Sequence, residues 1–181
     1  MNVIKTDLSD VLIVEPRVFQ DDRGFFFESW NAARWREATG LDTSFVQDNH
    51  SSSRLGVVRG LHYQVRHVQG KLVRVVRGEI YDVALDLRRS SPDFGRWTGA
   101  RLSAGNRRQL WIPAGFAHAF MALTDDAEVL YKTTDVYDRE AERSILWDDP
   151  DLGIDWPLPS ASVLSDKDRA GVPFRDAETF A

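Results

Sequence analysis

The sequence predicts an all-β protein, a sandwich or jelly-roll barrel, on three observations. Short runs rich in Val, Ile, Leu and aromatic residues recur along most of the chain, the composition that fits a pleated, half-buried surface. Clusters of Gly, Asp, Asn and Ser break those runs at short intervals, and these residues adopt the backbone conformations that turns require. Helix signals are sparse. With 181 residues the chain is long enough for one sizeable core and short for two, so residues 1–181 are expected to form a single domain.

In order, Val11–Val14 and Phe25–Trp30 read as short strands joined by the turn-rich Gln20-Asp-Asp-Arg-Gly24. Asn31 to Thr39 is the best helix candidate. Asn31 is a good N-cap, Ala and Arg favour helix, and Gly40 sits where a C-terminal cap falls. Trp35 is expected to pack this helix against the barrel. Strands follow at Ser44–Gln47, Val57–Gln64, Lys71–Val76 and Glu79–Leu87. Arg77-Gly78 between the last two reads as a hairpin turn. In the second of them Tyr81, Val83, Leu85 and Leu87 share one face, and Asp82, Ala84 and Asp86 the other. Further strands are expected at Trp97–Leu102, Gln109–Ile112, His118–Ala122 and Glu128–Thr134, with turns at Ser103-Ala-Gly-Asn106 and Thr124-Asp-Asp126. From Asp148 the chain turns frequently, with Ile154 and Trp156 as apolar anchors, and a short helix begins near Ser165.

Composition narrows the function. Lysine and arginine number 23 against 28 acidic residues, a net charge of −5. That balance argues against sequence-independent nucleic-acid binding, which needs a basic surface to neutralise phosphates. No cysteine occurs, which excludes disulfides and thiolate chemistry, so any metal would need His or carboxylate ligands. No signal-like N-terminus and no apolar run of membrane-spanning length is present, so a soluble cytoplasmic protein is expected.

The chain is organised around Gly56 to Lys71, GVVRGLHYQVRHVQGK. Val57, Val58, Leu61 and Val65 supply apolar bulk, while Arg59, His62 and Lys71 are too bulky and polar for core filler. Gly60 permits a bulge or a close backbone approach. Downstream come Trp111-Ile-Pro-Ala-Gly-Phe-Ala-His118 and Tyr131. Taken singly each has a plain structural explanation: a hydrogen-bonded histidine, an edge lysine, surface arginines at Arg23 and Arg59, a core tyrosine, a charged tail residue at Asp168. A histidine-based metal site usually places two histidines one residue apart on a strand. Here that slot is His62-Tyr63-Gln64, and the two separated histidines make a weak divalent site, so no metal is expected.

Nine segments together resemble the dTDP-4-dehydrorhamnose 3,5-epimerase family, in order and over nearly the whole chain. They are Asp22-Arg-Gly-Phe-Phe-Phe-Glu-Ser-Trp30, Gln47-Asp-Asn-His-Ser51, Gly56 to Gln64, Gln69 to Val76, Trp111 to Phe120, Tyr131 to Tyr137, Glu142-Arg-Ser-Ile145, Asp149 to Pro157 and Leu164-Ser-Asp-Lys-Asp168. The resemblance implies a cupin-type jelly-roll barrel with short peripheral helices, a homodimer, and neither metal nor organic cofactor. It also implies dTDP-4-dehydro-6-deoxy-D-glucose as substrate and dTDP-4-dehydro-L-rhamnose as product. Carried over by position, His62 resembles the catalytic base, Asp168 its orienting carboxylate, Tyr131 the acid and Lys71 the lysine near the keto oxygen. Arg59 and His118 match sugar and phosphate contacts. Arg23, Glu28, Gln47, Asn49, Glu142 and Lys167 match other nucleotide-sugar contacts, and Tyr137 the aromatic that stacks on thymine. Val65-Arg-His-Val68 lacks the prolines of many members.

That chemistry explains the residue types. Inverting the carbons on either side of a ketone requires a base, a donor for the enolate oxygen and an acid on the opposite face. Alternatives on the same fold are a single-site epimerase of antibiotic deoxysugar synthesis, a sugar-nucleotide 3,4-ketoisomerase and a non-catalytic nucleotide-sugar-binding cupin. The last needs no base and acid together, and the missing second histidine disfavours a metal-dependent oxygenase.

Overall fold

The computed structural model describes residues 1–161 and 163–181. In chain order its strands are β1 (Asn2–Lys5), β2 (Leu12–Glu15), β3 (Val18–Asp21), β4 (Gly24–Phe27), β5 (Gln47–Ser53), β6 (Val58–Gln64) and β7 (Lys71–Arg77). Then follow β8 (Glu79–Asp86), β9 (Trp97–Ser103), β10 (Gln109–Ile112), β11 (Phe116–Ala122), β12 (Ala127–Thr133) and β13 (Glu142–Ser144). The helices are α1 (Ala32–Thr39) and α2 (Asp166–Arg169), with a 3₁₀ turn at Phe174–Asp176. A six-stranded sheet ordered β1-β2-β10-β7-β12-β5 faces a five-stranded sheet ordered β13-β6-β11-β8-β9, and β3 and β4 form a separate ribbon. The result is an all-β jelly roll.

Apolar side chains fill three layers. Val73, Val75, Ile80, Ala84, Leu110, Phe116, Phe120 and Val129 meet between the sheets. Leu61, Val83, Leu85 and Leu87 cover the outer face of the five-stranded sheet, against the C-terminal segment with Ile154, Trp156, Phe174 and Phe180. On the outer face of the other sheet, Leu12, Val14, Leu72 and Trp111 pack on α1. The alternation in β8 is therefore as read, but both of its faces are buried. Its apolar face looks outward to the C-terminal cover, and the face carrying Asp82 looks into the barrel.

The helix expectation holds in detail. The Asn31 side chain accepts from Arg34 N–H, and Gly40, at φ 75°, closes the helix with its N–H on Arg36 O. Trp35 is buried edge-on against Trp111, ring centroids 5.4 Å apart, a geometry that adds about 0.5–1.5 kcal/mol beyond area burial.

Three expectations need correction. Arg77-Gly78 is no hairpin: β7 pairs with β10 and β12, β8 with β9 and β11. The Gly turn (φ 70°) carries the chain from one sheet to the other. The strand expected at Ser44–Gln47 begins only at Gln47 and continues to Ser53; its residues are all polar and lie on the sheet edge, so no apolar alternation marks it. The strand expected over Phe25–Trp30 is Gly24–Phe27, paired with Val18–Asp21 about the Asp22-Arg23 turn. Strands β1, β3 and β13 had no sequence signal strong enough to predict them.

Candidate active site

Arg59 and His62 lie three apart on one strand, so strict alternation would send them to opposite faces. A bulge removes the conflict. His62 is opposite His118, yet Arg59 is opposite Phe120, so Gly60 and Leu61 together face Ala119. Gly60 has φ 121°, and a Cβ there would come within 2.5 Å of Ala119 Cα and His118 O. Only glycine fits. The bulge turns Arg59, His62 and Gln64 all toward a cavity of about 260 Å³, while Leu61 and Tyr63 pack outward.

His62 Nε2 lies 2.5 Å from Asp168 Oδ1. Asp168 is 3% exposed and stands on the single turn of α2, whose N-cap Ser165 accepts from its N–H. Its Oδ2 accepts from Ser165 Oγ at 2.7 Å. Burial alone would raise the Asp168 pKa, but the hydrogen bonds from His62 and Ser165 outweigh it and hold it at about 2. The carboxylate is thus ionised, so Nε2 carries the proton and donates, leaving Nδ1 with a free lone pair. Burial lowers the His62 pKa; the bond to Asp168 opposes this, and nearby Lys167 and Lys71 add to it. The imidazole is neutral at neutral pH, as a general base must be.

Lys71 opens β7 on the facing sheet, 7% exposed, with Nζ 3.3 Å from His62 O. Burial lowers its pKa to about 8, against the pull of Asp82 and Glu142. Tyr131, on β12 beside it, also reaches the cavity from the six-stranded sheet. Burial raises its phenol pKa, so it stays protonated. Base and phenol therefore come from opposite walls. At the mouth, Glu142 accepts from Lys167 Nζ at 2.7 Å and Tyr137 OH at 2.9 Å. Burial would raise the Glu142 pKa, but these two bonds lower it overall. The Tyr137 ring is half-exposed.

Of the residues expected from sequence, Arg59, His62, Lys71, His118, Tyr131, Tyr137, Glu142, Lys167 and Asp168 converge on this cavity. Gln47 and Asn49 lie beside it on β5: Gln47 Oε1 accepts from Tyr137 N–H, and Asn49 is the register partner of Tyr131. Arg23 and Glu28 stand apart. Arg23, in the β3–β4 turn, pairs with Asp21, and Glu28 with Arg34. Sequence reasoning missed Ser51, Gln64, Gln69 and Phe120 in the lining, and Asp82, which sits 2.7 Å from His118 Nε2. An aspartate amid the apolar residues of β8 was the available signal for that last one. Among the described residues no cluster of three His, Asp or Glu side chains is placed to hold a metal ion.

Comparison with known proteins adds a family to this geometry. The profile described as dTDP-4-dehydrorhamnose 3,5-epimerase matches residues 5–176. The dTDP-4-dehydrorhamnose 3,5-epimerase of Pseudomonas aeruginosa is 61% identical over 180 residues, covering 99% of each chain. That of Shigella flexneri is 58% identical over 181 residues, also covering 99% of each. The crystal structure of dTDP-6-deoxy-D-glucose-3,5-epimerase from Legionella pneumophila, in complex with dTDP-4-keto-L-rhamnose, is 50% identical. It superposes with a TM-score of 0.95 over 98% of this chain and 94% of that one.

Proposed function

The chain belongs to the dTDP-4-dehydrorhamnose 3,5-epimerase family, and we propose on that footing that His62, Asp168, Lys71 and Tyr131 carry out its reaction. The enzyme is an isomerase that inverts C3 and C5 of dTDP-4-dehydro-6-deoxy-D-glucose to give dTDP-4-dehydro-L-rhamnose. Protons at C3 and C5 are acidic because both carbons adjoin the C4 ketone. His62 Nδ1 takes one; the C–H electron pair moves into the ring bond and the carbonyl pair onto oxygen, giving an enolate. The Lys71 ammonium donates to that oxygen, an interaction worth ~10²–10³ in rate when a donor of this kind is removed elsewhere. Tyr131 then delivers a proton to the other face of the carbon, and the phenolate and imidazolium exchange with solvent. Asp168 keeps His62 in the accepting tautomer and favours the imidazolium it becomes. The same set acts on the second carbon.

One observation carries this reading: the His62–Asp168 pair belongs to the five-stranded sheet and its helical cover, whereas Lys71 and Tyr131 belong to the facing sheet. A base returning its proton to the face it came from would regenerate the starting sugar, so inversion calls for groups on two sides.

The nucleotide serves as the handle. Arg59 and His118 would contact the sugar and diphosphate, Tyr137 would stack on thymine, and Gln47, Asn49, Glu142 and Lys167 would complete the contacts, with the binding energy positioning the sugar. We further propose that residues 1–181 form one domain and act in the cytoplasm as a homodimer. The β3–β4 ribbon supports the dimer: Phe19, Phe25 and Phe26 are 50–70% exposed on it, an apolar surface that calls for a partner. A second copy taking that ribbon would bring Arg23 and Glu28 to a substrate that they do not reach within one chain. Turnover in heavy water tests the function. Deuterium at both C3 and C5, followed by NMR, is expected; label confined to one carbon identifies a single-site epimerase.

A further inference from the structure

The barrel holds a second imidazole–carboxylate pair, His118 and Asp82; the reading above makes His118 a substrate contact and gives Asp82 no part. Asp82 lies on the inner face of β8 between Ile80 and Ala84, both in the core between the sheets. It is completely buried. Oδ1 is 2.7 Å from His118 Nε2, and Oδ2 is buried with no hydrogen-bond partner among the described residues. A carboxyl group left half-satisfied among apolar side chains is expensive, so its retention asks for a compensating role. Building on the assignment of Lys71 to the keto oxygen, we propose that Asp82 is a positioning residue for the reaction: it fixes the His118 ring through Nε2 and is the buried counter-charge of Lys71.

Three observations support this. Asp82 is opposite Phe120 on β11, two residues along from His118 on the same face, so the contact is built into strand register. With Nε2 committed to Asp82, Nδ1 is the polar atom His118 has left for a ligand, and the ring stands 6.5 Å from that of Tyr131. Lys71 is pulled in opposite directions. Burial and Lys167 favour its neutral amine, Asp82 and Glu142 its ammonium. Arg59, His62, Tyr63, His118, Tyr131, Tyr137 and Asp168 are the other titratable groups lining the cavity with it. Glu142 is already shared between Lys167 and Tyr137, whereas Asp82 has an oxygen to spare.

The test follows two resonances in the intact enzyme. The Lys71 Nζ is titrated by ¹⁵N NMR in the wild type and in Asp82→Asn, and the tautomer of His118 is read from its ring ¹⁵N shifts in the wild type. The expected result is an Nε2–H tautomer at His118, and a Lys71 midpoint that falls from about 8 by about one unit or more in the variant, a tenfold change in its protonation ratio. The kcat at pH 8 should fall about fivefold or more, and KM should rise as His118 loses its anchor. An Nδ1–H tautomer, or a midpoint that Asp82→Asn leaves in place, overturns the role of Asp82. The tautomer decides the matter even if the variant does not fold. A wild-type Lys71 that titrates near its ordinary 10.5 overturns it as well, because an ammonium that burial does not destabilise needs no counter-charge, whereas unchanged turnover in Lys71→Ala would count against the Lys71 assignment itself.

Discussion

His62 Nε2 and Asp168 Oδ1 meet at 2.5 Å although 106 positions separate them in sequence. The contact joins the bulged strand β6, next to the edge strand of the five-stranded sheet, to the single helical turn α2. Asp168→Asn replaces an acceptor by a group that can also donate, so the imidazole can settle in the wrong tautomer. We expect kcat to fall ~10²–10⁴-fold with KM little changed, by analogy with the loss of a carboxylate behind a catalytic histidine. His62→Ala should abolish turnover. A histidine variant with wild-type-like rate would remove the base assignment.

Tyr131→Phe separates the two halves of the reaction. Without the phenol, His62 still abstracts and returns a proton, so solvent deuterium should still exchange into the substrate while product formation drops at least ~10²-fold. The check is NMR of recovered substrate beside a product assay. Inversion of both centres at full rate would show that the acid lies elsewhere.

The pH profile of kcat/KM should be bell-shaped. The base must be neutral, and burial sets the His62 pKa below its ordinary 6.5, so the rate rises with pH through a midpoint under that value and is complete above it. The oxyanion donor must be charged, and Lys71 has a pKa of about 8, so the rate falls as pH climbs through 8. Steady-state kinetics from pH 5 to 9.5 measure both limbs, and an acid limb above 6.5 would contradict the neutral-base reading.

Gly60→Ala asks a methyl group to occupy space 2.5 Å from Ala119 Cα at a φ of 121°. Strain and overpacking together should cost about 2–4 kcal/mol, seen as a lower midpoint in urea unfolding. The surviving folded fraction should also lose activity, because relaxing the bulge turns Arg59 or His62 away from the cavity. A Gly60→Ala enzyme with unchanged stability would mean the strand does not need the bulge.

The exposed ribbon makes a further prediction. Phe26→Asp places a charge on a side chain 70% exposed in the single chain, so a monomeric protein would tolerate it. If the ribbon is a dimer surface, sedimentation should report a shift from dimer to monomer, with KM for the nucleotide sugar rising about tenfold or more as Arg23 and Glu28 are lost. An unaltered sedimentation coefficient would assign the dimer to another face.

The readable parts of this chain were those governed by local rules. Asn31 and Gly40 announced α1 because capping is a matter of one side chain and one backbone conformation. The candidate residues were legible through family resemblance, and Gly60 gave a hint of the bulge, but alternation alone would have separated Arg59 from His62. β5 was misplaced because it is an all-polar edge strand, with Ser51 lining the cavity and Gln47 and Asn49 beside it, where no apolar signal is needed. Arg77-Gly78 looked like a hairpin because a turn specifies a reversal without saying which sheet receives the next strand. Asp82 escaped notice because its partner His118 lies 36 positions away.

The distance in sequence between base and orienting carboxylate has one more outcome. Every strand of both sheets ends by Ser144, whereas Asp168 lies 24 residues beyond. A nascent chain thus emits every strand of both sheets before the carboxylate that would orient the proposed base, so the His62–Asp168 contact closes only over strands that have already been made.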